Sequence, residues 1–258
     1  MRDAEPPAGF TQFSIGRTNV VCAAHIADAV RIALTTGTLY DYGARHPRAR
    51  ALAGRGTAYA VALPGDVEQV VIRHNRHGGL LAPITGDLFR PPTRAPYELA
   101  ASLRLLSAGV PTPVVLGYAT YGAVPGFRRA DVMSREVADS SDLSNALLSE
   151  DGSVRQAALD ATARLVAALS SANVRHHDLN VKNVLLHGTS SEPTAMLLDV
   201  DRVVFEETPS VALNENLARI LRSARKWQHL YGARVSDAEL AAFERAARAK
   251  SAARTTSS

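Results

Sequence analysis

HHDLNVKN at 176–183, followed by LLDVD at 197–201, decides how this chain is read. Asp178 falls in a polar loop after a strongly helical stretch, and Asn183 comes five residues later, where the loop turns into the apolar run VLL. After a turn at Ser190–Pro193, AMLLDVDRVVF is the hairpin partner of that run, and Asp199 sits at its end, across from Asn183. Phosphoryl transfer needs this set: a carboxylate to orient the attacking hydroxyl and take its proton, and hard oxygen ligands for Mg²⁺. Either motif alone also fits a turn cap and solvated carboxylates. Both together, in this order on a hairpin, favour the catalytic reading.

Around this core the second half reads as helical. Val154–Ala172 is the clearest helix, with Leu159, Val166 and Leu169 on its buried side. Asp142 is placed to cap a short helix at 143–148. Asn214–Tyr231 and Asp237–Ala249 follow as helices, and the tail SAARTTSS is expected to be disordered.

Toward the N-terminus the pattern changes. Residues 1–20 are Pro/Gly-bearing and expected to be weakly ordered, and 22–34 has helical spacing ended by Thr35-Thr36-Gly37. ALAGRGTAYAVALPGDVEQVVIRH, from 51 to 74, reads as strand, glycine turn, strand, the sharp turn Pro64-Gly65-Asp66, and a third strand. A long Gly/Pro-rich loop leads to a helix from Tyr97 to Ala108, striped by Leu99, Leu103 and Leu106 and stopped by Gly109. Residues 110–117 and 130–137 look extended. The fold class expected is α+β: a β-rich N-lobe and a mainly helical C-lobe.

Composition narrows the chemistry. The chain has 258 residues, 29 basic against 25 acidic, for a net charge of +4. Only Lys182, Lys226 and Lys250 are lysines, so any function needing an N-terminal lysine is excluded. One cysteine, Cys22, excludes an internal disulfide and a multi-cysteine zinc site. Aromatics at 5% give little support to a nucleic-acid module. The first residues, MRDAEPPAGF, lack the apolar core of a secretory signal, and no run is long enough for a membrane helix. A cytoplasmic protein is expected.

A phosphotransferase also needs a phosphate grip. Gly54-Arg55-Gly56-Thr57 lies between two expected strands, as a phosphate-covering loop should. Arg73 ends the third strand, where a cation for the α- and β-phosphates belongs; its guanidinium binds phosphate bidentately. Glu98, on the leucine-striped helix, is placed to pair with it.

These segments carry a resemblance. HHDLNVKN resembles the protein-kinase loop H-R-D-x-x-x-x-N, and Asp199 the metal-binding Asp of D-F-G. More specifically, the chain resembles the 3-deoxy-D-manno-octulosonic acid (Kdo) kinases, the lipopolysaccharide kinase branch of the protein-kinase-like superfamily, from about Leu52 to Lys226. GRGTAYAV is similar to that family's G-R-G-T loop, and IRHNRHGGLLAPITGDLF to its R-H-Y-x-R-G-G-L segment, which has Arg where other kinases have Lys. YELAASLRLLSAGVPTPVVLGYA resembles its Glu helix and G-L-P-V-P-x-P, HHDLNVKNVLL resembles H-T-D-L-N-A-H-N-I-L, and LLDVD resembles L-L-D-F-D. NENLARILRSARKW resembles the late N-L-A-R-L-x-R-S helix. His77, His177, Lys182 and Val200 depart from the pattern, replacing Arg, Thr, His and Phe.

The resemblance implies a bilobal protein-kinase-like fold: an extension over 1–44, a nucleotide-binding lobe over 45–137, a catalytic lobe over 138–248 and a tail over 249–258. It implies transfer of the ATP γ-phosphate to the 4-hydroxyl of Kdo on a lipid A precursor, at the cytoplasmic face of the inner membrane. Asp178 would be catalytic, Asn183 and Asp199 would hold Mg²⁺, and Gly54–Thr57, Arg73 and Glu98 would serve the nucleotide. Asp201 would be a second metal ligand, an orienting carboxylate or a salt-bridge partner. Arg76, His77, Arg219 and Arg222 are candidates for the anionic acceptor, with Arg128, Arg129 and Arg225 for the membrane surface. Two alternatives stay open: a kinase-like phosphotransferase for heptose, an aminoglycoside or choline, and a non-catalytic nucleotide-binding protein.

Overall fold

A computed structural model describes residues 5–52, 57–75, 86–205 and 208–255. The chain divides into two compact units, 1–100 with 114–136, and 101–113 with 137–258.

The first unit is built on a seven-stranded antiparallel sheet of order β1-β2-β6-β7-β5-β4-β3. Its strands are β1 (Phe10–Ile15), β2 (Thr18–Ala23), β3 (Arg50–Leu52), β4 (Ala58–Ala62), β5 (Gln69–His74), β6 (Val115–Gly122) and β7 (Arg128–Arg135). Helices α1 (Ala27–Ala33), α2 (Leu39–Arg45) and α3 (Ala95–Ser107) complete its elements, α3 continuing into the second unit. Along β5, Val70 and Ile72 are fully buried in the apolar cluster with Val20, Ile26, Val30 and Met133. Side chains alternate along a strand, so Arg73 projects on the face opposite that core.

Two expectations fail here. Residues 10–23 are not weakly ordered: β1 and β2 pair from Phe10↔Ala23 to Ile15↔Thr18, and Phe13, Val20 and Cys22 turn inward. Helix α1 accordingly begins after a 3-10 turn at Ala24–Ile26, not at Cys22. The structure adds α2, which starts with a reciprocal cap between Thr38 and Asp41. At β6, Gly117 (φ +155) lies at a register shift; a Cβ there would stand 2.5 Å from the Val21 carbonyl, so only glycine fits.

In the second unit, α5 (Gly152–Ser171) runs through the core, capped by Asp151, whose side chain accepts from the Ser153 N–H at 2.7 Å. Leu165 and Leu169 are buried there, each contributing about 1.5–3 kcal/mol. Before it, Asp142 caps α4 (Leu143–Leu147) through the Asn145 N–H, as expected. A three-stranded sheet of order β11-β10-β8 comprises β8 (Ser140–Asp142), β10 (Val184–Gly188) and β11 (Pro193–Leu197); β9 (Val174–His176) pairs with β12 (Val203–Phe205). Two helices follow, α6 (Pro209–Tyr231) and α7 (Asp237–Thr255). The expected disordered tail is overturned through Thr255: Ala247 and Ser251 stay buried, and the Ser251 hydroxyl donates to Ser170 Oγ of α5 at 2.9 Å. The architecture is therefore α+β, an antiparallel sheet followed by a mainly helical region. No described helix is long and apolar enough to cross a membrane.

Candidate active site

In the second unit, β9 ends at His176 and β10 begins at Val184, so HHDLNVKN forms the loop between two strands. His176 is fully buried and organises it. Its Nδ1 accepts from the Asp178 N–H at 3.1 Å, which leaves the proton on Nε2. That Nε2 donates toward the carbonyls of Leu198 and Asp199, at 3.2 and 3.1 Å. Burial holds the His176 pKa below its ordinary value, only partly opposed by those carbonyls and by the Asp199 and Asp178 carboxylates. One neutral imidazole thus ties the peptide of Asp178 to the peptide of Asp199.

The rest of the loop closes on itself. The side-chain amides of Asn180 and Asn183 both donate to the Asp178 carbonyl at 2.8 Å, and the Asn183 N–H donates to the Asn180 carbonyl at 2.9 Å. The Leu198 N–H donates to the Asn183 carbonyl at 2.9 Å. With its nitrogen so committed, the Asn183 amide presents Oδ1 as its acceptor. Asp199 takes a left-handed conformation (φ 54, ψ 49), which aspartate tolerates better than most residues, and starts the turn to Arg202. Asp178, Asn183 and Asp199 belong to one hydrogen-bonded frame. Asp201 lies 3.9 Å from the Arg202 guanidinium.

Helix α6 supports the same loop, a contribution the sequence reading did not assign. Asn216, fully buried, accepts the His176 N–H at 3.0 Å and donates to the Val174 carbonyl at 2.8 Å. Arg219 donates to the His177 carbonyl at 2.7 Å, and Ser223 accepts the Val181 N–H at 3.2 Å. Arg219 is therefore engaged with the loop main chain, whereas Arg222 is exposed. The available signal was polar residues on the helix side that also carries Leu217, Ile220 and Ala224.

In the first unit, Arg73 and Glu98 form an ion pair, with the Glu98 side chain buried and that of Arg73 32% exposed. Next to it, His74 faces two carboxylates: Nδ1 is 2.5 Å from Asp131 and Nε2 2.9 Å from Asp87. Burial alone would lower its pKa; the two carboxylates outweigh burial and raise it. Asp131 also accepts the Tyr121 hydroxyl at 2.8 Å and the Tyr40 N–H at 2.9 Å, and Asp87 pairs with Arg129 at 2.7 Å. Thr57 is exposed directly before β4, while Gly54, Arg55, Gly56, Arg76 and His77 lie outside the described residues.

Several known proteins are similar to this chain. Residues 47–246 match the Lipopolysaccharide kinase (Kdo/WaaP) family. A 3-deoxy-D-manno-octulosonic acid kinase of Stenotrophomonas maltophilia (strain K279a) is 32% identical over 179 residues, covering 67% of this chain and 68% of that protein. One of the same name from Xylella fastidiosa (strain 9a5c) is 30% identical over 202 residues, covering 76% of each. A solved structure described as WaaP in complex with acyl carrier protein aligns with a TM-score of 0.45 at 20% identity, covering 79% of this chain and 89% of that one. A family match across most of the sequence and relatives at this identity make the chain a member of the lipopolysaccharide kinase (Kdo/WaaP) family, phosphotransferases that use ATP to phosphorylate a sugar hydroxyl.

Proposed function

We propose that this chain transfers the γ-phosphate of ATP to the 4-hydroxyl of a Kdo sugar on a lipid A precursor, with Asp178 as its catalytic carboxylate. The observation that carries the reading is the His176 bridge, which makes the peptides of Asp178 and Asp199 parts of one frame. An alkyl hydroxyl has a pKa far above seven, so a carboxylate does not ionise it in advance. Asp178 aligns it, and its proton passes to Asp178 as the new oxygen–phosphorus bond forms. The bond between the γ-phosphorus and the bridging oxygen breaks, and ADP leaves with that oxygen.

Arg73, held by Glu98, takes the α- and β-phosphates, and the backbone of Gly54, Arg55, Gly56 and Thr57 covers them. The donor set suits Mg²⁺, which uses one or two protein carboxylates with substrate phosphates rather than an all-protein cage. Asn183 Oδ1 and the Asp199 carboxylate would hold the ion, which would neutralise charge building on the phosphates. Asp201 would orient this group or pair with Arg202.

Acceptor recognition falls to Arg76, His77 and Arg222. Contact with an anionic inner-membrane surface falls to the exposed Arg222, Arg225, Lys226 and His229 of α6, beside Leu230 and the tilted ring pair Trp227–Tyr231. A basic residue at such a surface contributes about 1 kcal/mol.

The test offers labelled ATP with Kdo-bearing lipids, heptosylated cores and a protein substrate to the wild type and to Asp178→Ala. Label is expected on the Kdo 4-position with wild type alone. Label on heptose, or equal transfer by the variant, overturns the proposal.

A further inference from the structure

Asn216, Arg219 and Ser223 follow the spacing i, i+3, i+7 along α6, so they share one side of that helix. All three spend side-chain hydrogen bonds on main-chain groups of a single segment. Asn216 engages the Val174 carbonyl and the His176 N–H, Arg219 the His177 carbonyl, and Ser223 the Val181 N–H. The attachments flank Asp178, lying four, two and one residues before it and three after it. The bonds of the Asp178 peptide itself are local, to His176, Asn180 and Asn183.

A polar side chain on a helix face that otherwise buries Leu217, Ile220 and Ala224 costs desolvation unless its bonds are made. Here Asn216 and Ser223 bond the loop main chain, and Arg219 bonds it as well as pairing with Glu215 of its own helix at 3.5 Å. The Arg219 bond is charge-assisted and so stronger than a neutral one. His177 beside Asp178 is exposed, and it is the guanidinium from α6 that grips this residue's carbonyl.

We infer that Asn216, Arg219 and Ser223 form a main-chain clamp through which α6, contributing no reacting atom, sets the position of the catalytic loop and thereby the rate of transfer. They are positioning residues, and the inference rests on the reading of Asp178 as the catalytic carboxylate.

The test compares Arg219→Gln, Arg219→Lys and Ser223→Ala with wild type. It measures steady-state kinetics, thermal stability and amide hydrogen exchange over 174–183. Arg219→Gln is expected to lower kcat about 10- to 100-fold, with KM for ATP within about twofold and little change in melting temperature. Arg219→Lys, which can still donate to a carbonyl, is expected to recover most of the turnover. Exchange within the loop should speed up in Arg219→Gln and Ser223→Ala while the β10–β11 hairpin keeps its protection. Unchanged loop exchange, undiminished turnover, or a loss of kcat that only follows a loss of folded protein overturns the clamp. Asp178→Asn is run alongside. If it is inert while Arg219→Gln is fully active, the clamp alone fails. If it turns over normally, the catalytic reading fails, and loop exchange still judges the clamp.

Discussion

Arg73 in the first unit and Asp178 in the second are both anchored through neighbours, but the anchors differ in kind. Arg73 is held by the buried carboxylate of Glu98, and beside it His74 sits between Asp131 and Asp87. Charge fixes charge there. The Asp178 loop is held by neutral groups: His176 through both ring nitrogens, Asn216, Ser223 and the loop's own asparagines, with Arg219 the one cation in the set. A guanidinium is cationic at any ordinary pH, and a buried carboxylate partner fixes where that charge stands. A carboxylate that aligns a hydroxyl depends on position, and hydrogen bonds to the main chain around it fix that position.

This contrast is tested most severely at Asp178. Asp178→Asn keeps the shape and removes the proton acceptor, and should lower turnover by about 10²- to 10⁴-fold. ATP binding, measured by calorimetry, should stay near wild type if the nucleotide grip lies with Arg73 as proposed. A parallel loss of ATP affinity would erase the division of labour.

His176→Phe comes next. It fills the buried site but leaves the Asp178 N–H and the Leu198 and Asp199 carbonyls without their imidazole partner, at about 1–3 kcal/mol for each group left unsatisfied. Chemical denaturation should show that loss together with a fall in kcat. Arg73→Lys ranks below it. The charge survives but the planar fork does not, so KM for ATP should rise about tenfold with the fold intact. Unchanged KM would take Arg73 out of the phosphate grip.

What could be read in advance was the arrangement of groups that lie close together in sequence. Asp178 and Asn183 are five residues apart, and Asp199 falls opposite by the register of one hairpin, Val184↔Leu197. The same locality made Gly109 legible as the end of α3, where φ is +71. Contacts made across long separations were hidden. Val20 to Ala23 are buried in a strand because β6 and β1 flank them, whereas Cys22 and Ala23 alone suited the start of a helix. Helix α2 escaped notice because LYDYGAR contains Gly43; a Cβ there would meet the Tyr59 side chain at 2.9 Å, so packing demands the glycine that a helix would avoid. Arg219 and Arg222, three apart, looked equivalent. Only the position of the loop beneath α6 turns the first inward and leaves the second in solvent.

The smallest effect separates the two regions by sign. His74 has a raised folded pKa because Asp131 and Asp87 outweigh its burial, with Arg129 sharing Asp87. Its contribution to stability is complete below the unfolded value near 6.5 and is lost as pH rises through the folded value. His176 is the reverse. Burial lowers its folded pKa, so its contribution is complete above 6.5 and is lost as pH falls toward the lowered value. The stability gap between wild type and His74→Gln should therefore narrow from pH 5.5 to pH 8.5, and the gap to His176→Phe should widen over the same range. Urea unfolding at both pH values reads each gap directly. Two gaps moving in the same direction would mean that one histidine is not in the charge state its surroundings assign, and the distinction between a charged anchor and a neutral one would fail.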